Sequence, residues 1–186
     1  MNDTLKYIKE RFSCRDFSEE IPSNEQMNAI VQAAIQAPSG MNRQLWHVIV
    51  VENADLIADM ENEGMTALEK MNPDMYQRIL SHGSSLFYNA PKMIVFAIKK
   101  AYPEGAELID LGILAQNAVI AATSLGLATL HCGFVGLAFA GEKALEFKER
   151  LSFPEGYECG MGVLVGYAKS TRLPHEPDNT KITYVK

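Results

Sequence analysis

The chain has few of the groups from which metal centres, disulfide scaffolds and hydrolytic triads are built. Three of its 186 residues are cysteines, Cys14, Cys132 and Cys159, an odd number without a Cys-x-x-Cys pair. That usage argues against a disulfide framework and for a reducing compartment. The histidines, His47, His82, His131 and His175, stand singly, so no metal-ligand spacing is present. There is no Gly-x-Ser-x-Gly elbow for a hydrolase nucleophile and no Walker lysine loop. Gly160-x-Gly162-x-x-x-Gly166 has the wrong spacing for a dinucleotide fingerprint, and it lies before and within a strand-like run instead of opening a helix.

Positive charge is also in short supply. Seventeen Lys and Arg face 23 Asp and Glu, a net charge of -6, which argues against a general nucleic-acid or anionic-membrane surface. A local basic pocket remains compatible with that balance. The segment Met1–Lys6 carries no apolar core of signal-peptide length. The longest apolar segment, Leu108–Leu130, includes Asp110, Gln116 and Asn117 and is followed by His131. Burying those groups in lipid is costly, so a buried helix of a soluble, cytoplasmic protein is expected, with neither membrane nor nucleic acid as partner.

What is present is an ordinary globular composition, 47% hydrophobic and 22% charged, enough to bury one core. Asp3 or Thr4 can cap a first helix that aligns Leu5, Ile8 and Phe12. Ser23 with Gln26 signals a capping box, and Met27, Ile30, Val31, Ala34 and Ile35 continue at helical spacing until Pro38. Trp46–Val51 is a continuous apolar run suited to a strand covered on both faces. From Glu52 to Ser85 short helices are expected, interrupted at Gly64, Pro73 and Gly83. Their methionines, Met60, Met65, Met71 and Met75, suit either a mobile cover or plain gap-filling. Strands are expected at Met93–Ile98, within Leu127–Phe134 and at Met161–Tyr167, with helices at Glu107–Leu125 and Glu142–Leu151. Gly126 supplies the left-handed end of the first of these helices. Helix Glu107–Leu125 is apolar nearly all round, and one way to bury it fully is against a partner subunit. Ile182–Val185 alternates like an edge strand. Interleaved helices and strands without repeats define a mixed α/β (α+β) class: a small central mixed or antiparallel sheet flanked by helices.

Two stretches carry chemistry. Arg11-x-Ser13-x-Arg15 places two guanidinium groups and a hydroxyl within five residues, a set able to hold a phosphate; a solvated turn with salt bridges to Glu10, Asp16 or Glu19 is the plainer reading. Ala37–Val51 leaves a helix through Pro38, Ser39, Gly40 and Asn42 and enters a strand. That pattern fits either a simple turn or a polar ligand site on a rigid frame.

Taken together the motifs resemble the nitroreductase family of FMN-dependent NAD(P)H oxidoreductases. The likeness rests on Arg11-x-Ser13-x-Arg15-x-Phe17, Ala37-Pro38-Ser39-x-x-Asn42-x-Gln44-x-Trp46 and Asn89-Ala90-Pro91. It extends to Asp110-x-Gly112-x-x-x-Gln116-Asn117, Leu125–Thr129 and Gly166-Tyr167, and covers essentially the whole chain in order. The resemblance implies one FMN-binding domain over residues 1–186, with the long buried helix at the interface of a homodimer that holds FMN between its subunits. It implies ping-pong reduction by NADH or NADPH, then transfer to a small electron-poor acceptor such as a nitroaromatic or a quinone. By it Arg11 and Ser13 hold the FMN phosphate, with Phe12 between them in the cofactor-binding set, and Arg15 lies toward the pyrimidine edge. Pro38, Ser39, Gly40 and Asn42 reach the flavin held mainly by the other subunit. Leu130, Cys132 and Gly133 face the ring, while Arg172 and its companion Lys169 complete the phosphate grip from the tail. No side-chain acid, base or nucleophile is required, because the flavin performs the redox chemistry. Segment 52–85 offers no clear match to the lysine that some relatives aim at the pyrimidine ring, and Lys92 is the loosest substitute. A flavin-binding protein with redox-sensing or storage duty is the alternative.

Overall fold

The computed structural model describes residues 2–101, 103–170 and 172–186. Four strands form one sheet in the order β1 (Trp46–Val51), β2 (Lys92–Ile98), β4 (Glu158–Gly166), β3 (Ala128–Cys132). Every neighbouring pair is antiparallel. The central strand β2 alternates its side chains between two cores, as the two-residue period of a strand requires. Met93, Val95 and Ala97 enter one core with Leu130 and Leu164. Ile94 and Phe96 enter the other with Val163 and Val165. Helix α3 (Ala54–Met71) packs over the first face, and α2 (Asn24–Ala34) and α5 (Ala106–Ser124) cover the second.

Local signals account for many of the element ends. At α2 the Ser23 Oγ accepts from the Gln26 N–H at 3.1 Å, and the Ser23 N–H donates to the Gln26 side chain at 2.9 Å, closing the capping box. Helix α5 ends in a Schellman arrangement: the Gly126 N–H donates to Thr123 at 3.1 Å and the Leu127 N–H to Ala122 at 2.9 Å. Gly126 sits at φ +76°, where a side chain would be strained.

Several expectations are corrected. Asn2, not Asp3 or Thr4, caps α1 (Asp3–Glu10), and Leu5 and Ile8 on that helix are exposed. Strand β1 lies at the edge of the sheet and is covered on both faces as expected: Ile49 and Val51 are buried in the first core, Trp46, Val48 and Val50 are half-buried against the second, and His47 is exposed. Gly64 does not interrupt α3; it lets the helix approach its neighbours, since a Cβ there would stand 3.0 Å from Leu86 Cδ1. Pro73 does open a new helix, α4 (Pro73–Ser81), with Asn72 as its cap. Met60 is fully buried in the core, as gap-filling requires, whereas Met71 is exposed. In α6 (Ala144–Arg150) the buried residue is Phe147, while Leu145 points outward. The tail segment Ile182–Val185 forms no strand, because no described strand lies beside it to pair with.

Helix α5 is long and apolar enough by composition to cross a membrane, yet Leu114, Ala115, Ala118, Val119 and Ala122 lie fully buried against the sheet and α2. Its Leu108 and Ile109 remain 58% and 69% exposed, so part of its apolar surface is left uncovered by this chain.

Candidate functional site

Residues 11–18 form an irregular strip stitched to the β3 edge of the sheet. Ser13 bridges Thr129, and the Cys14 N–H donates to Thr129 O at 2.9 Å. Further on, the Phe17 N–H donates to Tyr88 O at 3.4 Å, the Ser18 N–H to Tyr167 O at 2.8 Å and the Lys169 N–H to Asp16 O at 3.0 Å. Pairing on both sides fixes the strip and sets Arg11, Ser13 and Arg15 beside the tail residue Arg172.

Three cavities meet there. One of about 400 Å³ is lined by Arg11, Phe12, Ser13, Arg15, Arg172, Leu173 and His175. A second, of about 240 Å³, is lined by Arg15, Tyr88, Leu130, His131, Cys132, Gly133 and Phe134. The third, of about 340 Å³, is lined by Arg15, Asp16, Gly83, Ser84, Ser85, Tyr88, Asn89 and Arg172. Arg15 belongs to all three. Among the described residues, Arg11, Arg15 and Arg172 form no ion pair with a carboxylate. The salt bridges to Glu10, Asp16 or Glu19 that the plainer reading of the strip requires are therefore not made. Three cations converging around a hydroxyl suit a phosphate, while the second cavity offers an apolar wall for a flat ring.

Burial governs the titrating groups here. It pushes the Cys132 thiol up to about 11, partly countered by main-chain hydrogen bonds from Phe134 and Val135. The Cys132 Sγ donates to Leu86 O at 3.6 Å. Burial likewise raises Cys14, and desolvation followed by the charge of Arg11 lowers His131 below its ordinary value. Cys132 is thus a protonated wall at neutral pH, and not a thiolate nucleophile.

The sequence-predicted residues divide into three sets. Arg11, Phe12, Ser13, Arg15, Leu130, Cys132, Gly133 and Arg172 come together around the cavities. Lys169 is exposed and lines none of the three; it contributes through its main chain. Pro38, Ser39, Gly40 and Asn42 sit elsewhere, on a turn fastened to α5, where the Gly40 N–H donates to Asp110 Oδ1 at 3.2 Å. Ser39 Oγ accepts from the Gln44 N–H at 2.9 Å. Met41, Asn42 and Gln44 all hold positive φ, a conformation that side-chain-bearing residues maintain only when their surroundings over-determine it. Lys92 lines none of the three cavities: it is buried, its ammonium pairs with Glu52, and it donates to Asn24 Oδ1 at 3.1 Å.

Sequence reasoning missed Tyr88, Asn89, Ser84 and Ser85. Tyr88 and Asn89 both adopt positive φ, 51° and 58°. The Asn89-Ala90-Pro91 tripeptide marked this stretch without revealing which way the turn faces.

The fold is a helix-flanked antiparallel sheet with an arginine-lined site, and comparison gives the family. The chain belongs to the nitroreductase family, whose model matches residues 8–167. It is 55% identical to a nitroreductase from Desulfitobacterium hafniense whose crystal structure holds FMN, with all of both chains covered and a TM-score of 0.95. A nitroreductase with bound FMN from Bacteroides fragilis shares the fold at 24% identity, again over all of both chains, with a TM-score of 0.90. The FMN reductase [NAD(P)H] of Bacillus subtilis is 28% identical over all of this chain and 76% of its own length.

Proposed function

We propose that the chain is an FMN-dependent enzyme that takes electrons from NADH or NADPH and passes them to nitroaromatic, quinone or related electron-poor acceptors. The observation that carries this reading is the convergence of three cavities on Arg15, with Arg11 and Arg172 alongside and, among the described residues, no carboxylate bound to any of them. The donors present fit FMN in kind: cations and a hydroxyl for a phosphate, an apolar wall for a ring, and polar groups for the ring's edge. The FMN-containing relative at 55% identity and the Bacillus subtilis FMN reductase support the same assignment.

When bound, FMN would supply the redox chemistry that links the nicotinamide donor to the acceptor. Arg11, Ser13 and Arg172 would grip the phosphate through charge-assisted hydrogen bonds. Arg15 would stand toward the pyrimidine edge, where a cation favours negative charge and raises the reduction potential. Leu130 and the Cys132–Gly133 main chain keep water from the ring. Donor and acceptor use one site in turn, in ping-pong fashion.

The same reading makes the whole chain one FMN-binding domain and the working unit a homodimer with FMN at its interface. Pro38, Ser39, Gly40 and Asn42 reach the flavin held by the other copy, since their turn lines none of the three cavities of its own chain. Support comes from the uncovered Leu5, Ile8, Leu108 and Ile109. A groove of about 720 Å³ between α1, α2 and α5 adjoins this surface.

The test is the absorption spectrum of untagged purified protein, followed by separate anaerobic titrations with NADH and NADPH. Flavin bands that bleach on titration are expected; colourless protein that fails to bind added FMN overturns the proposal. Acceptor-dependent oxidation of NAD(P)H with a quinone or nitroarene separates an enzyme from a storage protein.

A further inference from the structure

Asp110 places a carboxylate in the apolar run of α5. It is 7% exposed, and Leu111 and Leu114 beside it belong to the core. Among the described residues it pairs with no cation. A buried carboxylate is costly unless it is hydrogen-bonded. The bond that Asp110 makes reaches back across the chain, where the Gly40 N–H stands 3.2 Å from Oδ1 and 3.4 Å from Oδ2.

Gly40 opens a turn that is hard to hold. Met41, Asn42 and Gln44 have φ of 54°, 54° and 47°. Met41 is 83% exposed, so burial of its side chain does not secure that conformation. Bonds within the turn fix its shape: the Asn42 N–H donates to Ser39 O at 2.9 Å and the Gln44 side-chain amide to Asn42 Oδ1 at 2.9 Å. The Asp110 carboxylate fastens that shape to α5. Backbone strain persists where the surroundings over-determine it, and it clusters at ligand sites. Yet the turn lines none of the three cavities of its own chain. Leu108 and Ile109, directly before Asp110, carry apolar surface that this chain leaves uncovered.

We propose that Asp110 is a positioning residue: it presets the Ser39–Gln44 turn of one subunit for the flavin held by the other. The inference rests on the FMN and homodimer readings above and adds to them a residue that acts through Gly40. Ordering of the turn is then met on folding instead of on FMN binding, so affinity falls when the fastening is lost. The effect crosses the interface. A defect at Asp110 weakens the partner's site and spares the phosphate grip of the chain that carries it.

The experiment titrates FMN into flavin-free full-length dimers. Asp110→Ala should weaken binding by about five- to twentyfold, and Asp110→Asn, which keeps an acceptor oxygen, by about two- to fivefold. The deciding sample is a mixed dimer, isolated through two different affinity tags, of one Asp110→Ala chain and one Arg11→Ala chain. One of its sites joins an intact grip to an intact turn and should bind FMN with wild-type affinity; the other joins both defects and should bind more weakly than either variant dimer. A mixed dimer in which neither site regains wild-type affinity overturns the inference, because a defect confined to its own chain leaves every site damaged. A lowered melting temperature in Asp110→Ala with unchanged FMN affinity overturns it too, by making the carboxylate merely structural. Should Asp110→Ala fail to fold, Asp110→Asn carries the test in the same mixed dimer: no loss of affinity, or a loss that mixing does not restore, overturns the inference. Wild type that binds no FMN, or that forms no dimer, overturns it together with the reading beneath it.

Discussion

Glu61 Oε1 accepts a hydrogen bond from the Phe87 main-chain N–H at 2.6 Å, tying helix α3 to the loop that lines two of the three cavities. Phe87 is almost wholly buried, so its N–H has no access to water. Glu61→Ala should therefore destabilise the fold by about 1.5 kcal/mol, the lower end for a bond to a charged acceptor because the carboxylate is only half-buried. Glu61→Gln keeps an acceptor oxygen and should lose less than half as much. Urea unfolding of both variants checks this, and equal losses would show that the bond is not what matters at Glu61.

Among the described residues Arg11 has no carboxylate partner to lose, so its removal should act on ligand binding and not on folding. Arg11→Ala is expected to weaken FMN binding by roughly 1.5–3 kcal/mol, with the melting temperature of the flavin-free protein unchanged within about 2 °C. Because the interaction is between charges, wild-type affinity should fall with added salt more steeply than that of the variant. Isothermal titration at two ionic strengths measures both effects. Unchanged affinity at either salt concentration counts against the phosphate grip.

His131 links the same arginine to pH. Its folded-state pKa lies below the ordinary 6.5, first through desolvation and then through the charge of Arg11. The folded chain consequently binds fewer protons at this site than the unfolded chain near pH 6. The stability that neutral His131 contributes is present above the unfolded value of about 6.5 and is lost as pH falls through the folded pKa. Arg11→Ala removes one of the two causes and should move the His131 titration upward without restoring it fully. An NMR titration of the imidazole protons follows this directly; an unmoved midpoint in the variant would remove Arg11 as a cause.

The features legible in the sequence were those written locally. The Ser23–Gln26 capping box, the Gly126 helix end and the Trp46–Val51 run each depend on neighbours a few residues away. Arg11, Ser13 and Arg15 were legible as a set because all three lie within one turn of chain. What stayed hidden depends on long-range partners. Gly64 looked like a breaker because its reason for being glycine, the approach of Leu86, is 22 residues distant in the chain. The edge position of β1 follows from pairing order, which no hydrophobic pattern encodes. Ser85 and Tyr88 line a cavity with Arg15 on a loop that is held from a distance, by Glu61 at Phe87 and by the Phe17 N–H at Tyr88 O. Ile182–Val185 has the right alternation for a strand, but alternation supplies no partner.

The glycines near the start of β4, which do not form a dinucleotide fingerprint, mark where the strand is approached from outside. A Cβ on Gly162 would stand 2.4 Å from Val135 Cγ2. Val135 is fully buried in the short 3-10 segment Gly133–Phe139, which continues directly from Cys132 and begins at Gly133 in the cavity lined by Leu130 and Phe134. Gly162→Ala should therefore cost roughly 1–3 kcal/mol in overpacking and also weaken FMN binding, because relief comes by displacing the segment that carries Gly133. Val135→Ala should lose stability on its own through the cavity it leaves. The double variant should be more stable than the sum of the two losses predicts, since the new methyl enters the vacated space. Urea unfolding and FMN titration of the two single variants and the double variant complete the cycle. Additive losses would mean that Gly162 and Val135 do not share that space.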